Sequence, residues 1–127
     1  MPWLKGKRIL VVEDEALIAV MVEDMLMEMG SDVVGPAATI DAALALARVE
    51  EIDAAILDVN VRGERIDPVA ETLIARGVPV LFATGYGEVR LASGTPTTVI
   101  DKPYTQEKLA RGLALAMGVV LAGRHGG

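Results

Sequence analysis

Polar residues that could act together in one site follow four apolar runs of strand length in this sequence. They are Glu13, Asp14, Asp58, Thr84 and Lys102. Carboxylates are ligands that hard divalent cations prefer, and a lysine supplies a movable positive charge for an anion. A threonine hydroxyl can donate a hydrogen bond to the same anion. These residue types therefore predict a site that holds a metal ion together with an anionic group such as phosphate.

The elements that would position these residues alternate between strands and helices. Apolar or β-branched runs predict strands at about 8–12, 33–35, 54–61, 78–83 and 98–101. Pro36 predicts a turn after the second strand, and residues 62–65 are predicted to form a polar loop after the third. Helical spacing of apolar residues predicts helices at about 16–29, 39–51, 67–76 and 105–120, with at most about two turns at 88–92. This alternation is typical of a parallel sheet with helices on both faces. We expect an α/β fold, a flavodoxin-like doubly wound five-stranded parallel sheet of order 2-1-3-4-5, with a short or irregular fourth helix.

The first predicted helix has an apolar half and a charged half. The apolar half consists of Leu17, Ile18, Met21, Val22, Met25, Leu26 and Met29. We expect this half to face the sheet. Val20 and Met27 lie among charged residues on the outer half, where they either dock a partner or are singly exposed apolar residues of the ordinary kind.

The carboxyl ends of parallel strands meet at one edge of a sheet, where ligands bind. Glu13, Asp14 and Asp58 would repel one another there, which would raise at least one pKa. A divalent cation removes this conflict, and Mg²⁺ suits best because it accepts a few carboxylate oxygens and leaves room for a phosphate oxygen. Each residue alone could instead cap a helix, form a turn or be solvated. The prediction of a site therefore depends on their occurrence together.

Four segments resemble the receiver domain of two-component response regulators. They are the acidic pair after Ile-Leu-Val-Val, the Leu-Asp58-Val-Asn60 stretch, Phe82-Ala83-Thr84-Gly85 and Asp101-Lys102-Pro103-Tyr104. The resemblance spans about residues 7–122, so we expect 1–127 to be a single receiver domain with a loose tail at 123–127. It implies that Asp58 accepts a phosphoryl group from a sensor histidine kinase or a histidine phosphotransfer protein.

The resemblance also implies a role for each site residue. Asp14, Asp58 and the backbone carbonyl of Asn60 would hold Mg²⁺, with Glu13 helping mainly through water. Thr84, Gly85 and Lys102 would bind the phosphoryl oxygens and switch with them, and the peptide bond before Pro103 would be cis. The protein would be a phosphoacceptor with self-catalysed transfer and dephosphorylation, and would not be an enzyme in any other sense.

The sequence departs from the receiver pattern at Val99, where receivers usually carry an aromatic residue whose rotamer follows the threonine. Residues 85–97 contain three glycines, a proline and few apolar anchors. We therefore expect the signal to be an increase of order in this segment when Thr84 moves toward a phosphoryl group. We expect no effector domain, helix-turn-helix or basic region, and therefore expect output through a protein contact or onward phosphoryl transfer.

Two other functions are open on the sequence. A phosphatase of the haloacid-dehalogenase type also uses an aspartate after an apolar strand, but such enzymes carry a second acid two residues on, where this chain has Asn60. The other is a receiver-like interaction module that is not phosphorylated. The complete set of Asp58, Thr84 and Lys102 argues against it.

The composition and charge of the chain argue against several kinds of partner and binding site. The net charge of −6 argues against nucleic-acid binding, and the chain contains no cysteine for disulfides or thiolate metal sites. The apolar run 16–22 is far shorter than the roughly 20 residues of a membrane span, and the N-terminal residues do not resemble a signal peptide. We expect a cytoplasmic protein without membrane or nucleic-acid partners, whose oligomeric state, homodimer included, is open.

Overall fold

The computed structural model of the chain describes residues 2–85, 89, 91 and 94–119. A 3₁₀ helix at Pro2–Leu4 precedes the main sheet. Within these residues the chain forms seven strands, which are β1 (Arg8–Val12), β2 (Asp32–Ala37), β3 (Ala54–Asp58), β4 (Asn60–Val61), β5 (Glu64–Arg65), β6 (Val80–Thr84) and β7 (Thr98–Asp101). The described part of the chain also forms four α-helices, which are α1 (Ala16–Glu28), α2 (Ile40–Val49), α3 (Asp67–Ala75) and α4 (Gln106–Met117). No helix within these described ranges is both long and apolar enough to cross a membrane.

The main sheet has the strand order β2-β1-β3-β6-β7, and all its pairings are parallel. The two-residue strands β4 and β5 form a separate antiparallel hairpin. When the two hairpin strands are left out and the other strands are numbered in sequence, the order is 2-1-3-4-5, as predicted. The doubly wound fold is confirmed. Because the strands are parallel, the last residues of β1, β3, β6 and β7 lie at the same edge of the sheet.

Both faces of the central strands are buried, because successive side chains enter two different apolar cores. One core packs α2 and α3 against side chains such as Leu57 and Phe82. The other packs α1 and α4 against side chains such as Ile56 and Leu81. Asp58 is thus the polar last residue of a strand whose other residues are all apolar and buried.

The buried face of α1 is narrower than the sequence predicted. Ala19, Val22 and Leu26 form its centre, whereas Leu17 is 82% exposed and Met21 is 48% exposed. The expectation that Leu17 and Met21 face the sheet was wrong. At about 100° per residue, both lie roughly 100° or more from the centre of the buried face.

An exposed apolar surface on α1 results from this rotation. Leu17, Val20 and Met21 occupy neighbouring positions near the start of the helix, and we call them the α1 apolar surface. Val20 is exposed as the sequence predicted, and so is Met27 further along the helix.

Two strand boundaries differ from the prediction. Strand β2 continues to Ala37, although a turn was expected at Pro36. An edge strand tolerates a proline because one side of it has no ladder partner, and the register with β1 shifts at this point. The peptide bond between Gly35 and Pro36 is cis.

Strand β3 ends at Asp58 and does not continue to Val61 as predicted. Asn60 and Val61 pair with Arg65 and Glu64, so the expected polar loop at 62–65 closes a hairpin. Its two turn residues, Arg62 and Gly63, have φ angles of 53° and 79°. Positive φ at both central residues is what a two-residue hairpin turn with the twist of its strands requires.

The segment 85–97 is partly described. Val89 and Leu91 are buried in the core that contains α2 and α3, and the Thr97 hydroxyl donates to the Val89 carbonyl at 3.0 Å. Residues 86–88, 90 and 92–93 lie outside the described residues, and the prediction of a short fourth helix falls on them. Val120 and the predicted loose tail at 123–127 lie outside them as well.

Candidate functional site

Glu13 follows β1 and is buried at the edge where the strands end. Its Oε2 atom accepts a hydrogen bond from the backbone N–H of Glu15 at 3.0 Å. Its Oε1 atom accepts one from the Lys102 ammonium at 3.2 Å. Each oxygen atom of this buried carboxyl group therefore accepts one hydrogen bond from the protein.

Asp14 lies next to Glu13 and is partly exposed. Its Oδ2 atom accepts a hydrogen bond from the backbone N–H of Arg62 at 3.0 Å. The Arg62 side chain in turn donates to the carbonyl of Ala38 at 3.3 Å. The turn of the hairpin thus links Asp14 to the loop that follows β2.

Asp58 ends β3 and is 8% exposed. Its Oδ2 atom lies 2.8 Å from the Lys102 Nζ atom, and its Oδ1 atom lies 3.4 Å from the backbone N–H of Asn60. Oxygen atoms of Glu13, Asp14 and Asp58 all lie within 4.8 Å of one another. The structure therefore brings together the three acidic residues that the sequence singled out.

Lys102 follows β7 and reaches two of these carboxylates with one ammonium group. Its backbone N–H donates to the carbonyl of Thr84 at 3.0 Å, and Nζ lies 5.9 Å from the ring centroid of Tyr104. The peptide bond between Lys102 and Pro103 is cis.

Thr84 and Gly85 complete the edge of the site. Thr84 is the last residue of β6 and is 6% exposed, and it pairs with Asp101 in the neighbouring strand. Gly85 is exposed, and a Cβ atom added at its position would meet no heavy atom of the described residues within 4 Å. The approach to the site beside Thr84 is thus open.

Burial and charge alter the protonation of the site. Burial raises the pKa of Glu13 to about 7, and the charge of Asp58 adds to this, while the Glu15 N–H and Lys102 oppose it. The Arg62 N–H lowers the pKa of Asp14. Burial disfavours the charge on Lys102, but Asp58 and Glu13 together outweigh this and raise its pKa.

The donor set fits a hard divalent cation. Three carboxyl groups converge on one point while a single ammonium group offsets part of their charge. Burial and the charge of Asp58 raise the pKa of Glu13, and a bound cation would favour the ionised carboxylate instead. Oxygen ligands of this kind suit Mg²⁺ better than a transition metal that prefers nitrogen or sulfur.

Some residues of the site were not predicted from the sequence. The sequence predicted that Arg62 belongs to a polar loop. Its contact with Asp14 is made by its backbone N–H, which a pattern of side chains does not predict. Lys108 donates from α4 to the carbonyls of Asp101 and Pro103, on both sides of Lys102. Neither contact has a sequence signal, because each depends on how a loop closes.

Comparisons with known proteins identify relatives of similar size and architecture. No family model matches the chain. The chain is 44% identical to SdrG from Sphingomonas melonis Fr1, whose structure it matches over 90% of this chain and 98% of that one, with a TM-score of 0.74. It is 26% identical to the REC domain of the PhyR response regulator from Erythrobacter litoralis, over 91% and 93% of the two chains, with a TM-score of 0.78.

A curated relative is longer than this chain. The chain is 30% identical over 116 residues to the transcriptional regulatory protein PdtaR of Mycobacterium tuberculosis. This match covers 87% of the chain but 57% of the relative. The chain therefore spans little more than half the length of the curated relative it matches.

Proposed function

Because this chain belongs to the receiver-domain family of response regulators, we propose that Asp58 accepts a phosphoryl group from a phosphohistidine. The donor is a sensor histidine kinase or a histidine phosphotransfer protein. The observation that carries the proposal is the Lys102 ammonium, 2.8 Å from Asp58 and 3.2 Å from Glu13, beside a third carboxylate at the same sheet edge.

The transfer forms one bond and breaks one. A carboxylate oxygen of Asp58 attacks phosphorus, the bond from phosphorus to the histidine nitrogen breaks, and its electron pair returns to the imidazole. Lys102 neutralises charge on the phosphoryl oxygens, and the Thr84 hydroxyl donates a hydrogen bond to one of them. Positioning and neutralisation of charge supply most of the catalysis in reactions of this class.

Asp14, Asp58 and the backbone carbonyl of Asn60 would hold Mg²⁺, with Glu13 acting mainly through water. When bound, the ion offsets the combined charge of the carboxylates and the incoming phosphoryl group. The chain's own contribution is to keep Asp14 ionised through the Arg62 N–H and to hold Glu13 against Lys102.

The α1 apolar surface is proposed to receive the histidine donor. Leu17, Val20 and Met21 are exposed on the first turns of the helix that directly follows Glu13, Asp14 and Glu15. A docked protein would bury apolar side chains there while its histidine reached Asp58. The response then passes through a protein contact or onward phosphoryl transfer, in the cytoplasm.

The function is tested by treating the purified protein with acetyl phosphate and magnesium and measuring its intact mass. We expect a gain of one phosphoryl group in the wild type and in Asp101→Asn, which removes an exposed carboxylate at the same sheet edge. Asp58→Asn and wild type in chelator should gain none. Equal labelling of Asp58→Asn would refute the proposal.

The docking role is tested by comparing two phosphoryl sources. Leu17→Glu should slow transfer from a phosphorylated histidine phosphotransfer protein about tenfold and leave labelling by acetyl phosphate unchanged. Leu115→Glu is the matched control, because Leu115 is also strongly exposed but lies on α4. Equal effects of Leu17→Glu on both sources, or none on the protein donor, would contradict this role.

A further inference from the structure

We propose that Lys108, on α4, is a positioning residue that holds the loop carrying Lys102 in the geometry that reaches Asp58. This inference rests on the proposed function, since Lys102 is assigned there to the phosphoryl oxygens. Lys108 itself touches none of the three carboxylates.

The contacts of Lys108 surround Lys102 on both sides. The Lys108 Nζ atom donates to the carbonyl of Asp101 at 3.2 Å and to the carbonyl of Pro103 at 3.2 Å. These are the residues immediately before and after Lys102. One ammonium group thus fixes the backbone on either side of the functional lysine.

The position of Lys108 in its helix indicates that these contacts matter. Thr105 caps α4, and the backbone N–H of Lys108 donates to its hydroxyl at 3.1 Å. A side chain at this third helical position lies at the positive end of the helix dipole, where carboxylates are favoured and cations are not. The two carbonyl acceptors offset that cost, because charged donors make strong hydrogen bonds.

The backbone of residues 101–103, which carries the long and flexible Lys102 side chain, is therefore held at three points. Besides the two carbonyls bound by Lys108, the N–H of Lys102 donates to the carbonyl of Thr84 at 3.0 Å. With its backbone fixed, the Lys102 side chain reaches Asp58 and Glu13 together. Without Lys108, we expect Lys102 to occupy more positions and to meet the phosphoryl group less often.

The first test compares labelling rates by acetyl phosphate with magnesium in the full chain. Lys108→Ala should lower the rate about threefold to tenfold, a loss within the range measured for side chains that are coupled in one hydrogen-bond network. Lys108→Arg keeps a cationic donor of different geometry and should lose less of the rate than Lys108→Ala. Arg111 pairs with Glu107 within the same helix, so Arg111→Ala is the matched control that removes one positive charge from α4, and it should leave the rate unchanged.

A double-mutant comparison separates positioning from a general structural role. If Lys108 acts through Lys102, then Lys108→Ala should cause no further loss in a Lys102→Ala background. An equal fold-loss in both backgrounds would overturn the proposal. If Lys108→Ala does not fold, Lys108→Met, which keeps the apolar stem, takes its place in the comparison.

A readout that does not need phosphoryl transfer comes from NMR of the lysine side chains. The chain contains four lysines, Lys5, Lys7, Lys102 and Lys108, so ¹³Cε signals can be assigned by substitution. The Lys102 signal should move in Lys108→Ala and not in Arg111→Ala, and an unmoved signal would overturn the proposal. If the signal moves while the wild type takes no phosphoryl group, the positioning is supported and the proposed function is wrong.

Discussion

At the scale of single residues, Glu13 shows how burial changes the chemistry of a side chain. It is 1% exposed, and its pKa is about 7 where a glutamate in water has 4.5. A buried carboxyl group prefers to be neutral, because its charged form has lost the solvation of water. The ammonium group of Lys102 and the N–H of Glu15 oppose this preference without cancelling it.

The raised pKa of Glu13 predicts a fall in stability as pH rises. Between pH about 4.5 and 7 the folded chain binds more protons than the unfolded chain, so the free energy of unfolding decreases with pH. The decrease should be on the order of 3 kcal/mol. Urea unfolding in metal-free buffer at about pH 5 and about pH 8 measures it. Glu13→Gln should lack this decrease, and an identical pH profile in the two proteins would contradict the assignment.

The sequence predicted the side chains of the site better than the groups that hold them. Glu13, Asp14, Asp58 and Lys102 converge as expected, because parallel strands must end at one edge. The hydrogen bond to Asp14 was not predictable. It comes from the backbone N–H of Arg62, in a hairpin turn that the sequence predicted to be an ordinary polar loop.

At the scale of elements, the end of α2 is held by Arg76, the residue that directly follows α3. The Arg76 guanidinium donates to the carbonyls of Ala47 and Glu50, the latter at 2.9 Å. Ala47 lies in the last turn of α2 and Glu50 directly follows the helix. At this end of a helix the carbonyls lack intrahelical donors, and a cation is favoured. Arg76 thus joins two neighbouring helices that pack on the same face of the sheet.

Replacing Arg76 should weaken this junction. Arg76→Ala should lower the free energy of unfolding by about 1 kcal/mol, because two carbonyls lose a charged donor at a partly exposed site. Arg48→Ala is the control, since it removes an exposed positive charge from the last turn of α2 itself. Denaturant unfolding of the three proteins gives the comparison. Equal losses in both variants would mean that charge alone, and not the contact, is responsible.

Element boundaries were less predictable than element order. The strand containing Asp58 was predicted to reach Val61, because the apolar pattern continues through Val59 and Val61. In the structure the chain leaves the sheet after Asp58 and pairs with residues 64 and 65. Hydrophobicity does not distinguish a longer parallel strand from a short hairpin that packs on the same core.

At the scale of the whole molecule, the segment 85–97 connects the site to the face formed by β7 and α4. It begins beside Thr84, and its residues Val89 and Leu91 are buried. Val99, in the neighbouring strand β7, packs against the same core. A movement of Thr84 can therefore change the packing of this segment without the ring rotation that an aromatic residue at position 99 would allow.

Amide hydrogen exchange tests this connection. With a phosphoryl mimic bound at Asp58, protection should increase across 85–97, because Thr84 is drawn toward the site and restrains the residues that follow it. Protection in α1 should change little, which makes that helix the internal control. Full protection of 85–97 before the mimic is added, or no change on adding it, would rule out the mechanism.

In the proposed function, Asp58 is the residue that carries the phosphoryl group. The most direct measurement is to label the protein with acetyl phosphate and magnesium, reduce the acyl phosphate with borohydride, and map the product by peptide mass spectrometry. We expect homoserine at position 58, with Asp14 and Asp101 unmodified. Reduction at another carboxylate, or labelled protein with an intact Asp58, would contradict it.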